Sequence, residues 1–153
     1  MSNTKVLNTV LCASVIIGAT LSAQTFAESA TEDAIKYRQS VFTAIRWHFG
    51  SMGAMLRDKK PYDVEQFKHH ATQVSALAHM PREGFIEGSD FGDTKAKAEI
   101  WENLDDVSAR FDVLIKDTAI LAAAAGGDMD AVKGPFGTVA KSCKGCHDKY
   151  REE

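Results

Sequence analysis

Cysteine and proline are both scarce in this chain, with three of each in 153 residues. Few prolines leave long stretches free to be helical, because a proline inside a helix removes a hydrogen bond and costs about 3 kcal/mol. No stretch alternates apolar and polar residues as a half-buried strand does, which argues against a sheet. Internal repeats, low-complexity tracts and blocks of like charge are missing too. One apolar run stands out, Val10 to Leu21, and no other approaches the ~20 residues that span a bilayer. Lys5 precedes that run and Thr25-Phe26-Ala27 follows it. It reads as a secretory leader over residues 1–27, cleaved before Glu28, and is too short and badly flanked for an anchor. Cys12 lies inside it, and Thr9 stands where a lipoprotein signal needs a leucine. Residues 28–153 form one domain with no membrane attachment. With Lys5 removed, 17 basic residues face 21 acidic ones, a net charge of −4. That balance argues against nucleic acid, which attracts basic surfaces.

What is present reads at helical period in four segments. The first begins near Ser29-Ala30-Thr31 and carries the stripe Ile35, Arg38, Phe42, Ile45, Phe49, Met52, Leu56, ending before Pro61. The second is capped by Asp63, runs through Val64, Phe67, Ala71, Val74 and Ala78, and ends near Met80-Pro81. A glycine-rich loop follows, roughly residues 82–92. The third starts near Asp93-Thr94 and carries Ile100, Leu104, Val107, Phe111, Leu114, Thr118 and Leu121, with Gly126-Gly127 as its stop. Asp128 caps the fourth, whose stripe is Met129, Val132, Phe136, Val139, Cys143, Cys146, Tyr150. Gly134-Pro135 inside this segment predicts a kink or a late helix start. The spacing gives an all-α fold, an antiparallel up-down-up-down four-helix bundle whose facing side chains can enclose a cofactor.

A covalently bound haem follows from the two cysteines left after the leader. Cys143, Cys146 and His147 form CxxCH, the signature of c-type haem attachment. On a helix all three share one face, so two thiols can each form a thioether with the porphyrin while His147 stands under the iron. A redox dithiol normally belongs to a strand-to-helix unit, and no strand is read here. A zinc site needs further ligands, and no second pair has finger spacing.

Only six residues follow His147, so a sixth iron ligand has to come from earlier helices. The candidates are Met52, Met55, Met80, Met129, His48, His69, His70 and His79. His69 and His70 read as a solvated face, His48 and His79 as surface or interhelical groups, and Met52 and Met55 as core filling. Met129 is 18 residues from His147, about 27 Å along the helix, and cannot reach. In an up-down-up-down bundle the end of helix four lies beside the start of helix one, which sets residues 37–45 opposite His147. Met52 and Met55 are then about two turns too far along. The stripe offers Arg38 and Phe42 there, neither of which ligates iron. The iron is expected to be five-coordinate, with Phe42 over its open face. A charged Arg38 in an apolar stripe calls for an anion, and a haem propionate supplies one.

At this point the chain resembles the cytochrome c′ family, the high-spin class II c-type cytochromes. The matching stretches are DAIKYRQSVF at 33–42, AKAEIW at 96–101 and SCKGCHDKYR at 142–151. The resemblance implies a periplasmic four-helix bundle, usually a homodimer, with one pentacoordinate haem c per chain. It implies thioether bonds at Cys143 and Cys146 and an axial His147. Arg38 and Gln39 match positions at the haem edge and propionates, Arg151 a basic residue beside the proximal histidine, and Phe42 the distal position. Phe85 matches another distal-pocket aromatic, and Thr94 and Lys95 positions near a propionate. Low-spin relatives place a methionine ligand where Arg38 stands. For dimerisation, the outer face of helix one with Val41 and Trp47 is a plausible surface.

An open iron under an apolar lid admits neutral NO and CO and rejects charged ligands, so the expected function is gas binding by a haem carrier that is not an enzyme. Peroxidase chemistry needs a distal acid–base pair that the sequence does not offer. The alternative is electron transfer between Fe(III) and Fe(II) with redox partner proteins.

Overall fold

The computed structural model describes the backbone of residues 14–153 and side chains from residue 30 onward. The leader expected over 1–27, with Cys12, therefore lies outside the residues described in full. Four long helices carry the fold: α1 (Ser14–Leu56), α2 (Val64–Leu77), α4 (Leu104–Ala124) and α5 (Met129–Tyr150). A 3-10 turn at Pro81–Gly84 and a short helix α3 (Glu99–Glu102) lie between α2 and α4. Among the described residues the only β-pairing is an isolated bridge between Ala96 and Arg151.

Both predicted caps form. Asp63 accepts a hydrogen bond from the Gln66 amide at 3.0 Å, and Asp128 accepts one from the Ala131 amide at 2.9 Å. Each satisfies an amide that a helix start leaves without a partner. The turn between α4 and α5 is tied to α2 by Tyr62, whose hydroxyl donates to the Gly127 carbonyl at 2.9 Å.

Three expectations about helix ends are corrected. α1 does not begin near Ser29 but runs on from Ser14, because no proline or glycine interrupts residues 19–49. The third long helix begins at Leu104 and not at Asp93-Thr94; residues 95–97 are instead drawn into extended pairing with the C-terminus, and the backbone breaks at Asn103 (φ −132°, ψ 39°). Of the kink or late start expected at Gly134-Pro135, the late start is excluded: α5 runs from Met129 through Pro135.

α1 packs along α2, α2 along α4, and α4 along α5, while the backbones of α1 and α5 hardly approach each other. The bundle therefore has one loosely closed seam. The main core joins Met52 and Met55 of α1 to Phe67, Ala71 and Val74 of α2, Leu121 of α4, and Val132 and Val139 of α5. Burying a side chain such as Phe67 contributes about 1.5–3 kcal/mol. A second cluster, Ile100, Val107, Phe111 and Tyr150, sits toward the end of α5, with Phe42, Phe85, Ala96, Trp101 and Cys146 packed against it. Val41 is buried, so it is withdrawn from the expected dimer surface; Trp47 is 75% exposed.

Candidate functional site

The CxxCH turn is the last full turn of α5, and two neighbours hold it. From α4, the Asp106 carboxylate accepts from the Tyr150 hydroxyl at 2.5 Å, Arg110 Nε at 2.9 Å and Lys149 Nζ at 3.0 Å. These donors, Tyr150 foremost, hold the Asp106 carboxyl far below the usual carboxylate range. Arg110 also donates to the carbonyl of Gly145, inside the motif, at 2.9 Å. On the other side, the Lys97 amide donates to the Tyr150 carbonyl at 3.0 Å and the Glu152 amide to the Lys95 carbonyl at 2.8 Å. None of these supports was singled out as such from the sequence; the only signal for them was the Asp106/Arg110 spacing of four residues.

Cys143 and Cys146 are free, half-buried thiols. Burial pushes both thiols up, so both are protonated at neutral pH. Cys146 packs against the second cluster and Cys143 against the main core. His147 is exposed beside them on the same helix face. Desolvation, and then the neighbouring Arg151 charge, push its imidazole down, which favours the neutral form with a lone pair free.

The register between α1 and α5 is set by Phe49 and Phe136, whose rings stack with centroids 4.2 Å apart and planes 5° from parallel. Two turns back along α1 from Phe49 is Phe42, and two turns on along α5 from Phe136 is Cys143. One further turn brings Arg38 level with His147. Phe42, Phe85 and Cys146 share one cluster, as expected of groups around one cofactor.

Arg38 is buried, 2% exposed, and its environment differs from the expectation. Nη1 donates to the Gly84 carbonyl and Ser89 Oγ, both at 2.8 Å; Nη2 donates to the Ser89 carbonyl at 2.6 Å and Thr94 Oγ1 at 2.8 Å. The guanidinium carbon lies 4.7 Å from the Phe85 ring centroid and 5.6 Å from that of Trp101. All four N–H bonds of the fork are thus spent on the 84–94 loop, and only Nε–H is left for a propionate. The four acceptors are neutral; the Asp90 carboxylate acts on the guanidinium through space, against the effect of burial, without forming an ion pair with it. Sequence reasoning missed Ser89 and Gly84, because the loop has no periodicity to read.

The other predicted residues spread over the same end of the molecule. Gln39 Nε2 donates to the Asp93 carbonyl at 2.6 Å, and Lys95 Nζ to the Glu153 carbonyl at 2.6 Å. Thr94 receives Arg38 and the Ala96 amide. Arg151 ends α5, its amide donating to the His147 carbonyl at 3.1 Å. Of the candidate sixth ligands, Met52 and Met55 are fully buried in the main core, and His48, His69 and His70 cluster together between α1 and α2.

This donor set fits haem c. Two thiols and an imidazole share one helix face, aromatic side chains pack in the cluster that Cys146 joins, the α1–α5 seam is loosely closed, and a buried cation lies level with His147.

The family model described as Cytochrome C' matches residues 33–151. The cytochrome c' of Halomonas halodenitrificans is 40% identical over 129 residues, covering 80% of this chain and 98% of that one. The cytochrome c' of Alcaligenes xylosoxydans is 37% identical over 123 residues, covering 80% and 95%. Among solved structures, cytochrome c prime from Shewanella frigidimarina superposes with a TM-score of 0.78 at 46% identity, covering 80% of this chain and 97% of that one. A nitric oxide complex of a variant of cytochrome c prime from Alcaligenes xylosoxidans superposes with a TM-score of 0.74 at 36% identity, covering 80% of this chain and 96% of that one. Sequence, bundle and CxxCH agree: this chain belongs to the cytochrome c′ family, whose cofactor is haem c bound covalently through cysteine.

Proposed function

We propose that the chain is an exported, periplasmic haem c protein that binds the neutral gases NO and CO, with His147 as the protein's single iron ligand. Haem c, when bound, would supply the iron that takes the gas. Cys143 and Cys146 tether the haem through two thioethers, and His147 offers its neutral imidazole. Arg38 directs its remaining Nε–H and its positive charge toward the propionates, while its fork fixes the loop that carries Phe85. Arg151 adds positive charge beside His147. Phe42 offers an apolar ring and no hydrogen-bond donor, and the Trp101 and Tyr150 donors are spent on Ile86 and Asp106, so an uncharged diatomic enters without a polar partner. In this reading the protein acts by binding the gas and not by catalysis.

One observation carries this reading. Phe42 and Cys146 pack against one cluster, and among the described residues that form or line that cluster none is a methionine. The nitric oxide complex of the Alcaligenes relative supports it by analogy. In this reading the leader directs export and two copies pair as a homodimer, with exposed Trp47 on the outer face of α1 as a contact.

The test is the absorption spectrum of the purified ferrous protein before and after CO. A broad high-spin spectrum that converts slowly with CO is expected. A sharp low-spin spectrum indifferent to CO overturns the proposal and leaves electron transfer with redox partner proteins.

A further inference from the structure

Away from the CxxCH end, three histidines converge on the seam between α1 and α2. His48 comes from α1, and His69 and His70 are consecutive on α2. Consecutive helical residues diverge by about 100°, so two of them address one point only when a third element brings that point between them. His48 does this. Its ring centroid lies 5.9 Å from that of His69 and 5.2 Å from that of His70, and the His69 and His70 centroids are 5.5 Å apart. One ring nitrogen from each histidine falls within 4.8 Å of the other two.

The His48–His70 and His69–His70 separations match a first-row metal ion, while the 5.9 Å between His48 and His69 is longer, so the exposed His69 ring has to turn inward to close on an ion. A Zn–N bond is about 2.0–2.1 Å, which puts each imidazole centre about 3.2 Å from the metal and the ring centres about 5.2 to 5.5 Å from one another in tetrahedral or trigonal arrangement. The His48 and His70 Nδ1 atoms are now 2.9 Å apart, in a hydrogen bond between the rings. Tetrahedral ligand nitrogens stand about 3.3 Å apart, so metal entry asks the pair to part by a few tenths of an ångström. Burial, and then the neighbouring cationic and imidazole groups, push His48 and His70 down, which favours the neutral lone-pair form a metal needs. Lys60 also faces His70 and opposes a cation, but its ammonium is engaged with Ser51 Oγ at 2.7 Å.

We propose that His48, His69 and His70 form a second metal site, separate from the haem, that takes one Zn2+ or similar imidazole-seeking divalent transition-metal ion and leaves a fourth position for water. Three imidazoles with no carboxylate favour zinc, copper or nickel over magnesium or calcium, which seek oxygen. An ion there clips α1 to α2, and binding to the folded chain alone raises its stability by mass action.

The experiment is zinc titration calorimetry on tag-free, haem-loaded protein freed of metal by chelator, beside thermal melts with zinc or with chelator. One zinc per chain at micromolar affinity or tighter, and a melting point raised by zinc, are expected. His69 is exposed, so His69→Ala removes a ligand without opening the core. It should weaken zinc at least about 100-fold, more than loss of an outer-sphere partner does, and abolish the thermal shift while the haem spectrum stays as in the parent. His48→Ala should do the same. No zinc uptake by the parent, or affinity unchanged in His69→Ala, overturns the proposal.

Discussion

Tyr150 donates its hydroxyl to the Asp106 carboxylate at 2.5 Å, and this bond joins the end of the haem-attachment helix to the start of α4. Tyr150 is 2% exposed, so its ring belongs to the cluster around Cys146 while its hydroxyl reaches the rim. The carboxylate also gathers Arg110 and Lys149. A residue that sits outside the haem motif therefore fixes where the motif stands.

The sign of the resulting pH dependence follows from Asp106. Its folded-state pKa is depressed, so the stability it contributes is present above the unfolded aspartate value of about 3.9 and is lost as pH falls toward the folded value. Asp106→Asn should be less stable than the parent at pH 7, with the gap narrowing below about pH 4. Thermal melts of both haem-loaded proteins from pH 7 to pH 3 check this. Curves that stay parallel to the lowest pH would show that Asp106 carries no such linkage.

Arg38→Lys is a severe change at this position. Lysine has three donors on a single nitrogen, and it cannot span the acceptors that the fork reaches from two. Losing these bonds leaves Ser89 and Thr94 oxygens poorly satisfied, at a cost of about 2–4 kcal/mol. Urea unfolding of the haem-loaded protein measures it. Because the fork holds the loop that carries Phe85, the variant should also show a changed haem absorption band. A stability within error of the parent would remove Arg38 as the anchor of this loop.

Gly84 is required by close approach. A Cβ there would lie 2.7 Å from the Arg38 Cβ and 2.8 Å from the Ala34 carbonyl oxygen, which is helix backbone and cannot swing aside. Gly84→Ala should destabilise by about 1–3 kcal/mol, the usual cost of overpacking. Gly134→Ala is the control, since a Cβ at Gly134 meets nothing within 4 Å. Equal melting points for the two variants would contradict the packing described.

The bundle was legible because its signals are local. Asp63 and Asp128 cap helices whatever lies around them, and a 3-4 apolar stripe reads the same in any context. The register was legible too, since antiparallel order and a fixed rise place Arg38 and Phe42 across from the CxxCH turn. What stayed hidden depends on contacts distant in sequence. Residues 95–97 look like the start of a helix until Tyr150 and Glu152 bind them. That Ser89, Gly84 and Thr94, about fifty residues away, fill the fork of Arg38 has no local signal. His69 and His70 look like a solvated face until His48 arrives from α1.

Phe42 gives the sharpest test of function. It is half-buried against the cluster that Cys146 also joins, so under the proposed function a ligand approaching the iron from α1 would have to displace its ring. Moving a packed ring costs about 1–3 kcal/mol, and each 1.4 kcal/mol removed from a barrier is tenfold in rate. Phe42→Ala should therefore accelerate CO binding to the ferrous protein by about tenfold to a hundredfold, read by stopped-flow mixing. Phe42→Leu keeps an apolar lid of smaller area and should fall between the two. Both variants retain Cys143, Cys146 and His147, so the unliganded spectrum should stay high-spin. If CO binds the parent as fast as it binds Phe42→Ala, Phe42 is not the lid, and the barrier lies with another wall of the pocket such as Phe85.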